Sequence, residues 1–293
     1  MTQSTQLGYL KMNGLGNDFV VLDARAKPIA LGEEQVRAIS NRETGIGCDQ
    51  MLVMEKPPAG ADVFMRIYNA DGGETEACGN GTRCIGRLIL DETGKSSVKI
   101  ATVAGVLIAS NGMNGTDVTV DMGVPKLKWD EIPLAEPFHD TRTIELQLGP
   151  IDAPLLHSPA VVNNGVPHAI FFVDDLNCVD LGKAGPMLEH HPIFPQGANI
   201  ALARVDARDA ITSKVWERGA GLTQACGTSA CATAVAAIRR RLTDRVVTIR
   251  LPGGPLQIEW RENDEHVLMT GPAQTDGEGI LPEHLMGESV DAG

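Results

Sequence analysis

The strongest constraint on the fold is an internal repeat. EACGNGTRC (76–84) and QACGTSACA (224–232) each place an Ala-Cys-Gly element at the start of a helix-like run, with Cys78 and Cys226 148 positions apart. The surroundings repeat too. NGLGNDFVVLD (13–23) is answered by NGVPHAIFFVD (164–174), an Asn-Gly turn followed by an apolar run that ends at Asp. FMRIYNADGGETEACG is answered by SKVWERGAGLTQACG, with Tyr68 and Trp216 at the same offset of 148. After the first cysteine, Ile85, Leu88 and Ile89 share one helical face. After the second, 230–238 is Ala-rich nearly all round, as a buried central helix would be. Strand-like runs follow each helix: VKIATVAGVLIAS and DVTVDMGVP parallel VTIRLPGGPLQIEW and HVLMTGPA. Val118, Val120 and Met122 alternate with polar neighbours, the period of a half-buried strand. Matching order, type and spacing over half the chain outweigh any single motif.

The repeat predicts an α+β fold of two homologous, pseudo-symmetric domains. Each wraps antiparallel strands around a central helix, with the active site in the cleft between them. A length of 293 residues suits two such units. The first is expected over 1–125, carrying Cys78, and the second over 126–275, carrying Cys226, with 126–156 joining them. The Gly-, Glu- and Pro-rich segment 276–293 reads as a loosely held tail.

Charge and cysteine usage narrow the function. A formal charge of −13 disfavours nucleic acid or an anionic membrane as partner. No apolar run approaches the roughly 18 residues of a membrane helix. The N-terminus shows no secretory signal, so the reading is cytoplasmic, where thiols stay reduced. Six cysteines (48, 78, 84, 178, 226 and 231) form no C-x-x-C pair, and no metal site is expected. GLGNDF suggests a dinucleotide fingerprint, but Phe19 stands at the third glycine and no βαβ pattern follows.

The chemistry follows from where the two cysteines sit. A helix N-terminus offers free N–H groups and partial positive charge, which favour an anion and lower the pKa of a nearby thiol. Gly79 and Gly227 admit close approach of a ligand, and Asn80 and Thr228 follow with an amide and a hydroxyl. Two such elements facing across a pseudo-two-fold axis hold one carboxylate and set a sulfur on each side of its α-carbon. One thiolate removes the α-proton while the opposite thiol delivers another, which inverts the centre. Aimed N–H donors contribute roughly 3–4 kcal/mol each to holding the carbanion. Cys84 and Cys231 lie inside the helices, and Cys48 and Cys178 have no matched counterpart. These four read as structural.

MNGLGNDFVVLD, GIGCDQ, YNADG, ACGNGTRC, HPIFPQGANI, WERGAGLT and ACGTSACA, in this order, resemble the diaminopimelate epimerase family over nearly the whole chain. The resemblance implies two similar domains with the site between them. It also implies interconversion of LL- and meso-2,6-diaminopimelate in lysine and cell-wall synthesis, without pyridoxal phosphate, metal or other cofactor. The partner is then a small amino-acid substrate, and homodimerisation stays open. Carried over by motif, Cys78 and Cys226 are the acid/base pair. Asn17, Gln50, Asn69, Asn80 and Asn199 contact substrate, and Gly79, Gly227 and Thr228 supply donors. Glu217 and Arg218 take the distal ammonium and carboxylate, and His168 and Glu217 tune the cysteines. Two positions depart from the family pattern: Val166 stands where Asn is usual before Pro-His, and Ser229 where Gly is usual after Cys-Gly-Thr. The alternatives are a racemase of another amino acid using the same pair, a cysteine hydrolase, and a non-catalytic dicarboxylate-binding protein. The hydrolase leaves the second matched thiol without a role, and the binding protein keeps the helix-start nests but needs no thiol.

Overall fold

The computed structural model describes residues 7–285 apart from Ala77 and Met113. The chain runs β1 (Gly8–Gly14), β2 (Asn17–Asp23), α1 (Glu33–Ser40), β3 (Gln50–Glu55), β4 (Val63–Asn69), β5 (Glu74–Thr75), α2 (Gly79–Thr93), β6 (Ser97–Thr102), β7 (Gly105–Asn111) and β8 (Asp117–Asp121). It continues through β9 (Gln147–Leu148), β10 (Leu156–His157), β11 (Ala160–Asn163), β12 (Pro167–Phe172), α3 (Leu181–Glu189), β13 (Asn199–Ala207), β14 (Ala210–Glu217) and β15 (Gly221–Leu222). The last elements are α4 (Gly227–Arg239), β16 (Val246–Leu251), β17 (Gly254–Trp260), β18 (Val267–Pro272), β19 (Gln274–Ile280) and a short 3-10 turn, Glu283–Leu285.

The chain divides into two compact units. One comprises 1–120 with 271–293, the other 121–270. Within each, the same topology appears. In the first, β1 and β2 form an antiparallel hairpin, α1 crosses over to set β3 parallel to β2, β4 returns antiparallel, and β6 lies parallel to β4. In the second, β11 and β12 form the hairpin, α3 crosses to the parallel β13, β14 returns, and β16 lies parallel to β14. A helix follows the small strand pair in each (α2 after β5, α4 after β15), so the repeat read from sequence is a repeat of fold. Most pairs are antiparallel, as expected. The two parallel pairs in each unit are an addition, and β2–α1–β3 is a βαβ crossover that the sequence pattern did not announce. GLGNDF sits in the tight β1–β2 turn, with Leu15 and Gly16 at φ of 67° and 81°, and no helix N-terminus follows it directly. The fingerprint geometry is absent there.

Each central helix is held by burial. From Ser229 to Ala237 every residue of α4 is buried, and small side chains let strands approach on all sides. In α2 the first two turns are buried, and Gly86 lies so close to β7 that a Cβ there would stand 2.7 Å from that of Ala109. Gly94, at φ 65°, ends α2 by donating its N–H to the Leu90 carbonyl at 2.9 Å.

Two expectations are corrected. Segment 126–156 is no linker: Ile132, Leu134, Ile144, Leu146 and Leu156 are buried in one cluster with Leu181, Ala184 and Leu188 of α3. At about 1.5–3 kcal/mol per fully buried aliphatic side chain, that cluster ties the segment to the second unit. Nor is the chain loose after 275. β19 pairs antiparallel with β1 from Asn13↔Gln274 to Gly8↔Ile280, and Leu281 and Leu285 are buried beside Val36 and Ile39 of α1. The boundaries fall at 120/121 and 270/271 rather than at 125/126 and 275/276. The rest of the expected tail, 286–293, and the first six residues, on which the secretory-signal reading partly rests, lie outside the described residues. Among the described residues no helix is long and apolar enough to cross a membrane.

Candidate active site

Both matched cysteines are helix N-caps in extended backbone: Cys78 (φ −148°) opens α2 and Cys226 (φ −129°) opens α4. In the first unit the Gly81 N–H donates to Cys78 Sγ at 3.2 Å, and the thiol faces Asn17 Oδ1 at 4.0 Å. Asn80, in the first turn of α2, is 5% exposed, and its Oδ1 has no partner among the described residues. Gln50 and Asn69 are register partners of β3 and β4, and the Gln50 amide donates to Asn69 Oδ1 at 2.9 Å. Asn17 begins β2, Gln50 begins β3 and Asn69 ends β4.

In the second unit Asn199 Nδ2 lies 3.9 Å from Cys226 Sγ, and Thr228 Oγ1 lies 3.4 Å from it. Gly227 is buried at the first position of α4. Asn199 begins β13 directly opposite His168 of the parallel strand β12. Its Oδ1 accepts the Arg218 N–H at 2.8 Å. Glu217 ends β14 and accepts the Thr223 hydroxyl. Arg218 is exposed, and its guanidinium donates to the Gln196 carbonyl at 2.8 Å. Among the described residues no carboxylate pairs with it, so its charge is open to an anion.

The electrostatics of Cys226 differ from the sequence expectation. The thiol is pushed well above its ordinary value, first by burial, then by the Glu217 charge and the hydrogen bond to that carboxylate. Thr228 and the Ser229 backbone oppose the shift without overcoming it. Desolvation of a fully buried sulfur therefore outweighs the helix terminus, and the resting form is the thiol, a proton donor. His168 is fully buried, and burial followed by the Arg218 charge lowers it to about 3. It is a neutral imidazole with neither ring nitrogen partnered among the described residues. Of the cysteines read as structural, Cys48, Cys84 and Cys231 are buried and Cys178 is exposed. Among the described residues no cluster of three or more His, Cys, Asp or Glu is arranged to hold a metal.

Two residues escaped the sequence reading. Asp49 accepts from the Asn17 amide at 3.0 Å and from Arg42 at 2.7 Å. Its signal was an acidic residue just before Gln50, inside a motif already singled out. Asn164, in the turn between β11 and β12, is 4% exposed, with neither side-chain polar atom partnered among the described residues. It lies two positions before Val166, where the family pattern has its amide.

Comparison with known proteins identifies the family. The family model described as diaminopimelate epimerase matches residues 9–128 and 160–275. A diaminopimelate epimerase of Nitrobacter hamburgensis is 56% identical over 278 residues, covering 94% of this chain and 96% of the relative. Among solved structures, a Bacillus anthracis phenazine biosynthesis protein of the PhzF family aligns with a TM-score of 0.65 at 17% identity, over 95% of this chain and 99% of that one. A hydroxyproline epimerase from Agrobacterium vitis aligns at 0.64 and 15% identity, over 96% and 94%. At such identities the structures speak to fold alone, but the sequence matches span both repeats, and the chain belongs to the diaminopimelate epimerase family of isomerases.

Proposed function

We propose that the chain interconverts LL- and meso-2,6-diaminopimelate by moving a proton at one α-carbon, with Cys78 and Cys226 each serving one face. The observation that carries this reading is the equivalence of the two thiols. Each is the N-cap of the buried central helix of its unit, with a side-chain amide about 4 Å from the sulfur.

The residues divide the work. The backbone donors of Gly79, Asn80, Gly227 and Thr228 bind the α-carboxylate and hold the charge that develops as the proton leaves. Cys226, resting as a thiol, gives its proton to the carbanion when Cys78 acts as base, and the roles exchange in reverse. Asn17 and Asn199 orient the two sulfurs. Arg218 takes the distal carboxylate as a bidentate fork, Glu217 takes the distal ammonium, and Gln50 and Asn69 complete the polar wall. Glu217 and the neutral His168 set the proton affinity of Cys226. Neither cofactor nor metal enters the scheme.

In this reading the enzyme works in the cytoplasm, in lysine and cell-wall precursor synthesis, with no nucleic acid or membrane partner. The departure at Val166 favours one second reading, a racemase of another amino acid using the same thiols. Incubation with LL-diaminopimelate in D₂O tests the proposal. Deuterium entering the α-position together with loss of the LL form is the expected result. A chain that leaves diaminopimelate unlabelled while labelling a single-centre amino acid is the second enzyme.

A further inference from the structure

Asn17 reaches Cys78 in one of two orientations, because an amide presents either its oxygen or its nitrogen. We propose that Asp49 is a positioning residue that fixes this choice, holding the Asn17 nitrogen so that its carbonyl oxygen faces the Cys78 sulfur. The inference rests on the proposed role of Cys78 as acid and base.

An ionised carboxylate only accepts hydrogen bonds. Asp49 Oδ2 accepts from Asn17 Nδ2 at 3.0 Å and from the Asp18 N–H at 3.1 Å, while Oδ1 accepts from Arg42 Nη2 at 2.7 Å. Arg42 is clamped in turn by both oxygens of Asp18, at 2.7 and 3.0 Å. Asp18 also accepts from Lys11 at 2.8 Å and from the Asp49 N–H at 3.0 Å. Turning the Asn17 amide over would set a carbonyl oxygen against a carboxylate, so the orientation is determined by chemistry rather than by convention.

The consequence appears at the sulfur. Asn17 Oδ1 receives the S–H of the thiol at 4.0 Å, and the Gly81 N–H donates to the thiolate at 3.2 Å. A group that must be base in one direction and acid in the other needs both partners. At Cys226 the amide is reversed: the Arg218 N–H occupies Asn199 Oδ1, the nitrogen faces sulfur, and Glu217 supplies the acceptor. The charged groups linked to Asp49 are Arg42, Asp18 and, through Asp18, Lys11, while Arg83 on α2 and Asp276 on β19 act on Cys84 of the same helix.

Asp49→Asn in the full chain tests this, and the side chain is 42% exposed, so the fold is retained. The readout is the alkylation rate of Cys78 by iodoacetamide against pH, followed by peptide mass spectrometry. It needs no turnover. Freed to turn, Asn17 donates to the sulfur and favours the thiolate, so the alkylation midpoint falls by about one unit. The kcat/KM falls about tenfold or more, equally in both directions because the equilibrium constant is fixed. Asp49→Glu, still acceptor-only, restores the midpoint to within a few tenths of a unit, and Arg42→Gln leaves it there. An unmoved midpoint in Asp49→Asn overturns the proposal. So do equal and opposite shifts in Asp49→Asn and Arg42→Gln, which would mark a purely electrostatic role. If the midpoints behave as expected but the unaltered chain epimerises nothing, the functional reading fails and the positioning role stands.

Discussion

The Arg218 backbone N–H donates to Asn199 Oδ1 at 2.8 Å, leaving the Asn199 nitrogen turned to Cys226 Sγ at 3.9 Å. A backbone group of Arg218, the residue proposed to take the distal carboxylate, thereby orients the amide beside the thiol. Asn199→Asp keeps the acceptor for Arg218 but puts a negative charge beside a thiol already raised by burial and Glu217. We expect kcat/KM to fall about ten- to a hundredfold in both directions, and its rise with pH to move upward by about a unit. An unchanged pH profile removes Asn199 from the control of Cys226.

In the proposed mechanism, replacing either Cys78 or Cys226 by Ala removes the only proton-transfer group on one face, the base of one direction and the acid of the other. Epimerisation falls by at least about a hundred- to ten-thousandfold in each variant. Both chains stay folded, since one sulfur is lost at a helix start. Full activity in either purified variant defeats the two-thiol mechanism.

Arg218→Lys keeps the charge and loses the planar fork. KM for diaminopimelate should rise about tenfold, with a smaller loss in kcat because remote binding energy aligns the α-carbon. Steady-state kinetics decide it, and unchanged constants take Arg218 out of the site.

Val166 is half-buried and apolar where the family pattern has an amide. A hydrogen bond to a charged group is worth about 1.5–3 kcal/mol, so Val166→Asn should lower KM for diaminopimelate by roughly tenfold. Harm to turnover of a single-centre amino acid, with diaminopimelate still poorly used, identifies the other racemase instead.

His168 links stability to pH. Its folded value, lowered to about 3, lies below the ordinary histidine value of about 6.5. The unfolded chain therefore takes up the proton first. The stability from the neutral imidazole is complete above about pH 6.5 and is lost as pH falls towards 3, at about 1.4 kcal/mol per unit. Urea unfolding at about pH 7 and pH 5 should show the native chain losing about 2 kcal/mol more than His168→Gln. Equal losses contradict the buried neutral state.

The repeat is legible in the sequence because side chains carry it twice: the Asn-Gly turns, the apolar strand cores, and Cys-Gly before each buried helix. β19 is illegible for the opposite reason. QTDGEGI has no apolar alternation, and backbone hydrogen bonds to β1 hold it. The buried residues of 132–146 follow no period, lying among Pro, Glu and Asp in irregular chain, so they read as a connection. The motifs mark Asn17 and Asn199 as substrate contacts but not their places beside Cys78 and Cys226. Nor do they show the raised Cys226 thiol, which depends on burial and on Glu217 beside the sulfur.

The pairing of β1 with β19 also governs how the chain is born. The unit 121–270 is one continuous stretch, so all its strands are available once Thr270 has left the ribosome. The other unit waits: β1 cannot gain its β19 neighbour until Ile280 has emerged. The unit 121–270 thus completes its core before the unit that precedes it, and the nascent β1 edge stays open to wrong partners until then.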